Sequence, residues 1–194
     1  AAGAAAAQSP GHDVDQKAAC LSCHDLEDAR AKVSHAPVEA GECSACHNPH
    51  VARFKKLLRD RPAPLCARCH ESVRDELQRK AVHLPVKDGK CADCHRPHGS
   101  ANEGLLVAPS RELCATCHEG VAGWKERRVQ HAPFAQGRCA ACHDPHASDN
   151  PGLLTRTGAA VCASCHKLDA ALRATHRGYP VERAACQQCH DPHA

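Results

Sequence analysis

All sixteen cysteines of this 194-residue chain fall into eight CxxCH motifs. Four are plain: Cys20, Cys23 and His24; Cys66, Cys69 and His70; Cys114, Cys117 and His118; Cys162, Cys165 and His166. Four run on to a second histidine as CxxCHxPH: Cys43, Cys46, His47 and His50; Cys91, Cys94, His95 and His98; Cys139, Cys142, His143 and His146; Cys186, Cys189, His190 and His193. Two thiols three residues apart can form thioethers with both vinyl groups of one porphyrin, and the next residue then points an imidazole at the iron, which is the attachment chemistry of c-type haem. Disulfides or zinc could use the same thiols, but neither requires a histidine directly after every pair, and all eight pairs have one. The reading is eight covalently attached haems, with His24, His47, His70, His95, His118, His143, His166 and His190 as proximal iron ligands.

Of the seventeen histidines, nine are then left. Eight recur at two per repeat: His35, His50, His83, His98, His131, His146, His176 and His193. They are the expected distal ligands, and with no methionine in the chain Met/His ligation is excluded. A histidine three residues past its own proximal ligand cannot reach the far face of the same haem. His50, His98, His146 and His193 are therefore expected to point at neighbouring haems. His12 is left over, with ligand and surface residue both open. Iron carrying two imidazoles is coordinatively full, so it passes electrons without binding substrate, and no catalytic residue is expected.

The elements that must position these groups repeat as well. The CxxCHxPH motifs recur at intervals of 48, 48 and 47 residues, which points to a quasi-linear array in which each unit touches mainly its neighbours. The expected division is an alanine-rich tail over 1–19, then two-haem repeats over 20–65, 66–113, 114–161 and 162–194. After each plain motif a charged, alanine-rich segment reads as a short helix that ends at a histidine (Asp25 to His35, Glu71 to His83, Glu119 to His131, Lys167 to His176) and is stopped by Pro37, Pro85, Pro133 or Pro180. Loops through Gly41, Gly89 and Gly137 lead into the next motif. The fourth repeat departs, because His176 stands ten residues before Cys186 where its counterparts stand eight before theirs. Leu57-Leu58, Leu105-Leu106 and Leu153-Leu154 are most simply packing against haem edges.

Ordinary side chains cannot build the interior. The 42% hydrophobic content is carried by 36 alanines and the cysteines, and aromatic residues are 2%. Porphyrins must supply the apolar body, so the expected fold is haem-packed, mostly coil with short α-helices and almost no strand. The formal charge of +3 omits the cofactors. With ionised propionates the loaded protein would carry roughly −5 oxidised and roughly −13 reduced. Nucleic-acid binding has no support, since the few aromatics are not interleaved with basic residues. No apolar run is long enough to span a membrane. The start AAGAAAAQSPG reads as the mature end left by a cleaved signal peptide, which with haem attachment implies an extracytoplasmic protein.

The alternation of CxxCH with H-x7-CxxCHxPH resembles the doubled-CxxCH multihaem cytochromes over residues 20–194, with the longer spacing before Cys186 and the extra His12 as departures. That resemblance implies electron transfer between respiratory donors and external or terminal acceptors, with redox proteins as partners. Within it, a polymerising extracellular filament is the preferred setting, the chain itself then being an end-to-end partner. A periplasmic relay or the haem module of an outer-membrane conduit is the alternative. A multihaem reductase would need an open iron position. Arg53-Phe-Lys-Lys and Lys125-Glu-Arg-Arg could dock an acidic partner, although solvated faces also account for them, and Trp124 reads as packing. If haem replaces the core, the haem-free chain should show no cooperative thermal transition by circular dichroism, whereas the loaded protein should show one.

Overall fold

A computed structural model describes residues 15–194, so His12 lies outside the described residues. The chain is built from helices of four to seven residues, 3-10 turns and four two-residue strands, joined by turns and coil. Each plain motif starts inside a helix, at Gln16–Leu21, Pro62–Cys66, Ser110–Ala115 and Gly158–Ala163. Each CxxCHxPH motif opens on a single turn, at Cys43–Cys46, Cys91–Cys94, Cys139–Ala141 and Cys186–Gln188. The first of these helices is capped by the Asp15 carboxylate, which accepts from the Ala18 amide. It docks on the Cys43–Cys46 turn through the Ser44 amide, which donates to Gln16 Oε1 at 3.1 Å. Residues 16–19 are thus part of the first haem-binding unit.

The turn between these elements requires glycine. Gly41, Gly89 and Gly137 have φ of 78°, 70° and 70°. A Cβ on them would meet Lys17 Cβ at 2.8 Å, Ala63 Cβ at 3.2 Å and Arg111 Cβ at 3.3 Å, on the helices of the plain motifs. Left-handed backbone and close approach both exclude a side chain there.

The expected helix ending at a histidine forms only in the fourth repeat, where Ala170–Thr175 ends with His176 as its C-cap. In the second and third repeats the helices Glu71–Glu76 and Glu119–Lys125 stop well before His83 and His131, and in the first only the 3-10 turn Glu27–Arg30 forms. The reason lies in the prolines. Pro37, Pro85 and Pro133 occupy the first turn of the next short helices, Ala36–Glu39, Leu84–Lys87 and Ala132–Ala135, where a missing N–H costs nothing. They start helices, and the N-cap histidines two residues before them, His35, His83 and His131, enter those helices on extended backbone with ψ of 130°, 131° and 132°.

That extended backbone joins one repeat to the next. Strand β1 (Val33–Ser34) pairs antiparallel with β3 (Gly99–Ser100), and β2 (Ala81–Val82) with β4 (Ala147–Ser148). The His35 amide donates to the His98 carbonyl at 3.1 Å, His83 to His146 at 2.9 Å and His131 to His193 at 3.3 Å. Each joint carries a cross-repeat ion pair as well: Arg96–Asp28 at 3.4 Å, Arg79–Asp144 at 3.2 Å and Arg127–Asp191 at 3.1 Å. All lie at the surface, where solvent screens them, so each serves register more than stability.

Apolar burial among the described residues is slight. Leu65, Ala67, Phe134, Ala147, Val161 and Val181 are the buried apolar residues, and no large side chain is fully enclosed. Side-chain burial of this extent cannot offset the entropy of ordering 180 residues. No described helix is long and apolar enough to cross a membrane.

Candidate haem sites

Fourteen of the sixteen expected axial histidines stand in facing pairs. The ring centroids of His35 and His70, His47 and His98, His83 and His118, His95 and His146, His131 and His166, and His176 and His190 are each 6.0 Å apart, and those of His143 and His193 are 6.1 Å apart. With a metal–nitrogen bond of about 2.0 Å and a ring centre about 1 Å behind its nitrogen, two imidazoles on opposite sides of one ion lie about 6 Å apart. The spacing fits an axial pair and leaves a gap too wide for rings in mutual contact. Every pair combines an expected proximal with an expected distal histidine.

Two patterns and one exception account for the seven. His35, His83 and His131 each face the plain-motif histidine 35 residues on, at His70, His118 and His166, with interplanar angles of 18°, 20° and 22°. His98, His146 and His193 reach back one repeat, to His47, His95 and His143, at 33°, 52° and 10°. The exception is His176, which turns onto His190 of its own repeat at 68°. Arg177 and Gly178, at φ of 52° and 78°, make that reversal. His24 and His50 have no imidazole opposite them among the described residues, and both are exposed.

Hydrogen bonds fix which ring nitrogen is free. A ligating imidazole normally donates from its other nitrogen to a carbonyl or carboxylate. Here the Nδ1 atoms of His35, His83 and His131 lie 2.7, 2.9 and 3.0 Å from the carbonyls of Pro97, Pro145 and Pro192. Those prolines belong to the xPH turns, so one turn carries one expected distal histidine and orients another. His176 Nδ1 meets the Leu172 carbonyl at 2.8 Å. As Nδ1–H donors, all four would have Nε2 free to hold a haem iron.

The proximal histidines of the CxxCHxPH motifs are held by a loop that the sequence reading took for packing. His47, His95 and His143 direct Nδ1 to the carbonyls of Lys56, Gly104 and Gly152 at 2.8, 2.7 and 2.8 Å. The next residues, Leu57, Leu105 and Leu153, have φ of 56°, 57° and 55°. Their carbonyls accept from Asn48, Arg96 and Asp144, and isolated bridges join His47 to Leu58, His95 to Leu106 and His143 to Leu154. The leucine pairs mark a left-handed turn that orients an imidazole. The glycine before the pair in two copies was the available signal.

The thiols follow one another in sequence order. Cys20 contacts Cys43, Cys66 contacts Cys91, Cys114 contacts Cys139, and Cys162 contacts Cys186. Cys46 and Cys69, Cys94 and Cys117, and Cys142 and Cys162 are close enough for their charges to interact. In the chain without thioethers, the hydrogen bond from Cys66 lowers the Cys91 thiol to about 6 and raises Cys66 itself. Burial pushes Cys114 up to about 11. Thioether formation removes these ionisations. Burial also lowers His98 and His193, which favours the neutral imidazole a metal requires.

Two side chains beside the distal histidines were not singled out as site residues. Trp124 stacks on His193 with centroids 4.0 Å apart and meets Phe134 edge-on. Glu76 Oε2 lies 3.0 Å from His146 Nδ1, off the ideal hydrogen-bond axis and without another partner.

Residues 35–75, 83–123 and 131–171 match the family described as doubled CXXCH motif. The chain belongs to the doubled CXXCH motif family. Its paired motifs make it a multihaem c-type cytochrome, with covalently bound haem and electron transport as its chemistry. Each matched unit of the doubled CXXCH motif opens at one of the histidines that face forward, His35, His83 or His131, and closes just after the plain motif that it faces. A search of curated proteins finds no match to the chain.

The left-handed turn gives a clean test. A Cβ on Gly152 would meet nothing within 4 Å, so strain at φ 65° is the whole cost of Gly152→Ala. The loaded variant should lose about 1 kcal/mol by chemical denaturation, with unchanged haem content.

Proposed function

We propose that the protein is an octahaem electron-transfer cytochrome in which the sixteen CxxCH cysteines hold eight haems and the paired histidines close both axial positions. The observation that carries this reading is the set of seven imidazole pairs about 6 Å apart, most with an Nδ1 tied to a carbonyl. When bound, haem supplies the one-electron couple of its iron, and neighbouring haems pass that electron on. The chain's own part is to fill the axial positions, to exclude substrate from them, and to fix the order of the sites. The thiol contacts support an order that follows the sequence, Cys20 to Cys189, and so a single file of haems along four two-haem repeats. Covalent haem attachment supports an extracytoplasmic location.

Within that chemistry the setting divides on His176, which is paired within its own repeat, and on the unpaired His50. His176, turned back on His190, completes the last site from within its own repeat and favours a discrete relay. His50 favours the second reading, an end-to-end filament at the cell surface. It is exposed and held on a formed turn, with its amide donating to Asn48 Oδ1 at 3.2 Å, and Val51 beside it is 74% exposed. Its counterparts reach the preceding repeat, and a second copy of the chain or a redox partner could take that place. Electron microscopy of native protein separates the two, as long regular filaments or discrete particles.

The axial assignments are tested by His83→Ala. In the oxidised holoprotein one haem in eight should become high-spin by electron paramagnetic resonance, and free imidazole should return it to low spin. A wild-type protein with a stoichiometric high-spin haem that turns over nitrite or hydroxylamine would support a reductase instead.

A further inference from the structure

One position in the repeat, seven residues before His35, His83 and His131, is occupied by Asp28, Glu76 and Trp124. In each case the side chain borders the backward-reaching histidine of the following repeat, yet the three contacts differ in kind. Asp28 borders the same surface hollow as His98, but its carboxylate is paired to Arg96 at 3.4 Å, and both groups are 47% exposed. Glu76 is in direct contact with His146, its Oε2 lying 3.0 Å from Nδ1, and the carboxylate is only 17% exposed. Trp124 is neutral and covers His193 face to face at 4.0 Å. The cations on either side of Glu76 are both committed elsewhere, Arg74 on the same helix to the Ala67 carbonyl and Arg79 beyond its end to Asp144 and the Ala147 carbonyl. Glu76 Oε2 therefore has the imidazole as its one neighbour of opposite polarity among the described residues.

From this we infer that the position sets the relative reduction potentials of the three haems ligated by His98, His146 and His193, and that Glu76 makes the His95–His146 site the lowest of the three. The inference rests on the axial pairing proposed above. A carboxylate 3.0 Å from Nδ1 favours ferric over ferrous iron by its negative charge, and a small turn of the ring that let it accept the Nδ1 proton would also raise the donor strength of the imidazole. Both effects lower the potential. Asp28 supplies neither strongly, since it does not contact Nδ1 and its charge is answered by Arg96 in solvent. Trp124 supplies no charge and shields His193 from water, which favours the less charged iron, and the carboxylate nearest that imidazole, Asp191 at 3.9 Å, is paired with Arg127 at 3.1 Å. Glu76 is thus a positioning residue acting through His146. Its effect is a step in the potential profile part-way along the file of haems.

Glu76→Gln keeps the size of the side chain and removes its charge. In spectroelectrochemical titration of the holoprotein, one haem in eight should move to higher potential, with its ferric-to-ferrous ratio at a fixed applied potential falling about tenfold. That is about 59 mV for a one-electron couple. All eight haems should remain attached and the variant should keep the low-spin spectrum of the wild type. Glu76→Asp should restore part of the shift. In a His146→Ala background the shift caused by Glu76→Gln should shrink to the part due to charge alone, because the rest acts through the imidazole. An unshifted titration in Glu76→Gln, with haem count and spin state intact, overturns the inference and leaves the axial pairing standing. A His146→Ala protein that gains no high-spin haem overturns the pairing itself.

Discussion

The bond on which the rest depends joins a histidine Nδ1–H to a backbone carbonyl. An imidazole free to rotate about two torsions offers a metal two nitrogens and no fixed direction. Once Nδ1 is held, Nε2 points one way in one tautomer. In this chain the carbonyls that do the holding belong to the xPH turns and to the left-handed turns before the leucine pairs. Backbone carbonyls stay put only where the backbone is itself constrained, and proline at Pro97, Pro145 and Pro192 and left-handed residues at Leu57, Leu105 and Leu153 supply that constraint. Much of the secondary structure is therefore local and short, because each piece has only to fix one ring.

The same arrangement explains how so little apolar side chain can order so long a chain. His35 and His98 are bonded backbone to backbone, yet face His70 and His47 respectively, so one joint carries ligands for two sites at once. A joint that loses its metal centres keeps two strand residues, three or four hydrogen bonds and an exposed ion pair, which is too little to persist in water. Cofactor attachment and folding become a single event, as in other small metal-dependent domains.

The chemistry was legible in the sequence because it depends on residue type and spacing. Eight CxxCH motifs, eight recurring histidines and no methionine specify attachment and ligand type without reference to geometry. The direction in which His98, His146 and His193 reach was readable in outline, since a ring three residues past the proximal ligand must look elsewhere. What could not be read was the role of backbone atoms. Nothing in the identity of Lys56, Gly104 or Gly152 announces that its carbonyl orients an imidazole. Pro37, Pro85 and Pro133 fit the end of one helix and the start of the next equally well by propensity. The reversal at His176 was visible only as a changed spacing. Glu76 and Trp124 look like surface and packing residues until the following repeat is folded against them. Tertiary contacts between repeats, which leave no local periodicity, were the hidden part.

The central claim is that imidazoles from different segments, and in six of the seven pairs from different repeats, share one iron. Iron anomalous diffraction from crystals of the oxidised holoprotein tests it most directly. The account predicts eight iron peaks per chain, seven of them midway between the histidine pairs described here, with the iron of the Cys43, Cys46 and His47 motif between His47 and His98. Peaks flanked by histidines of a single motif, or fewer irons than CxxCH motifs, would contradict it.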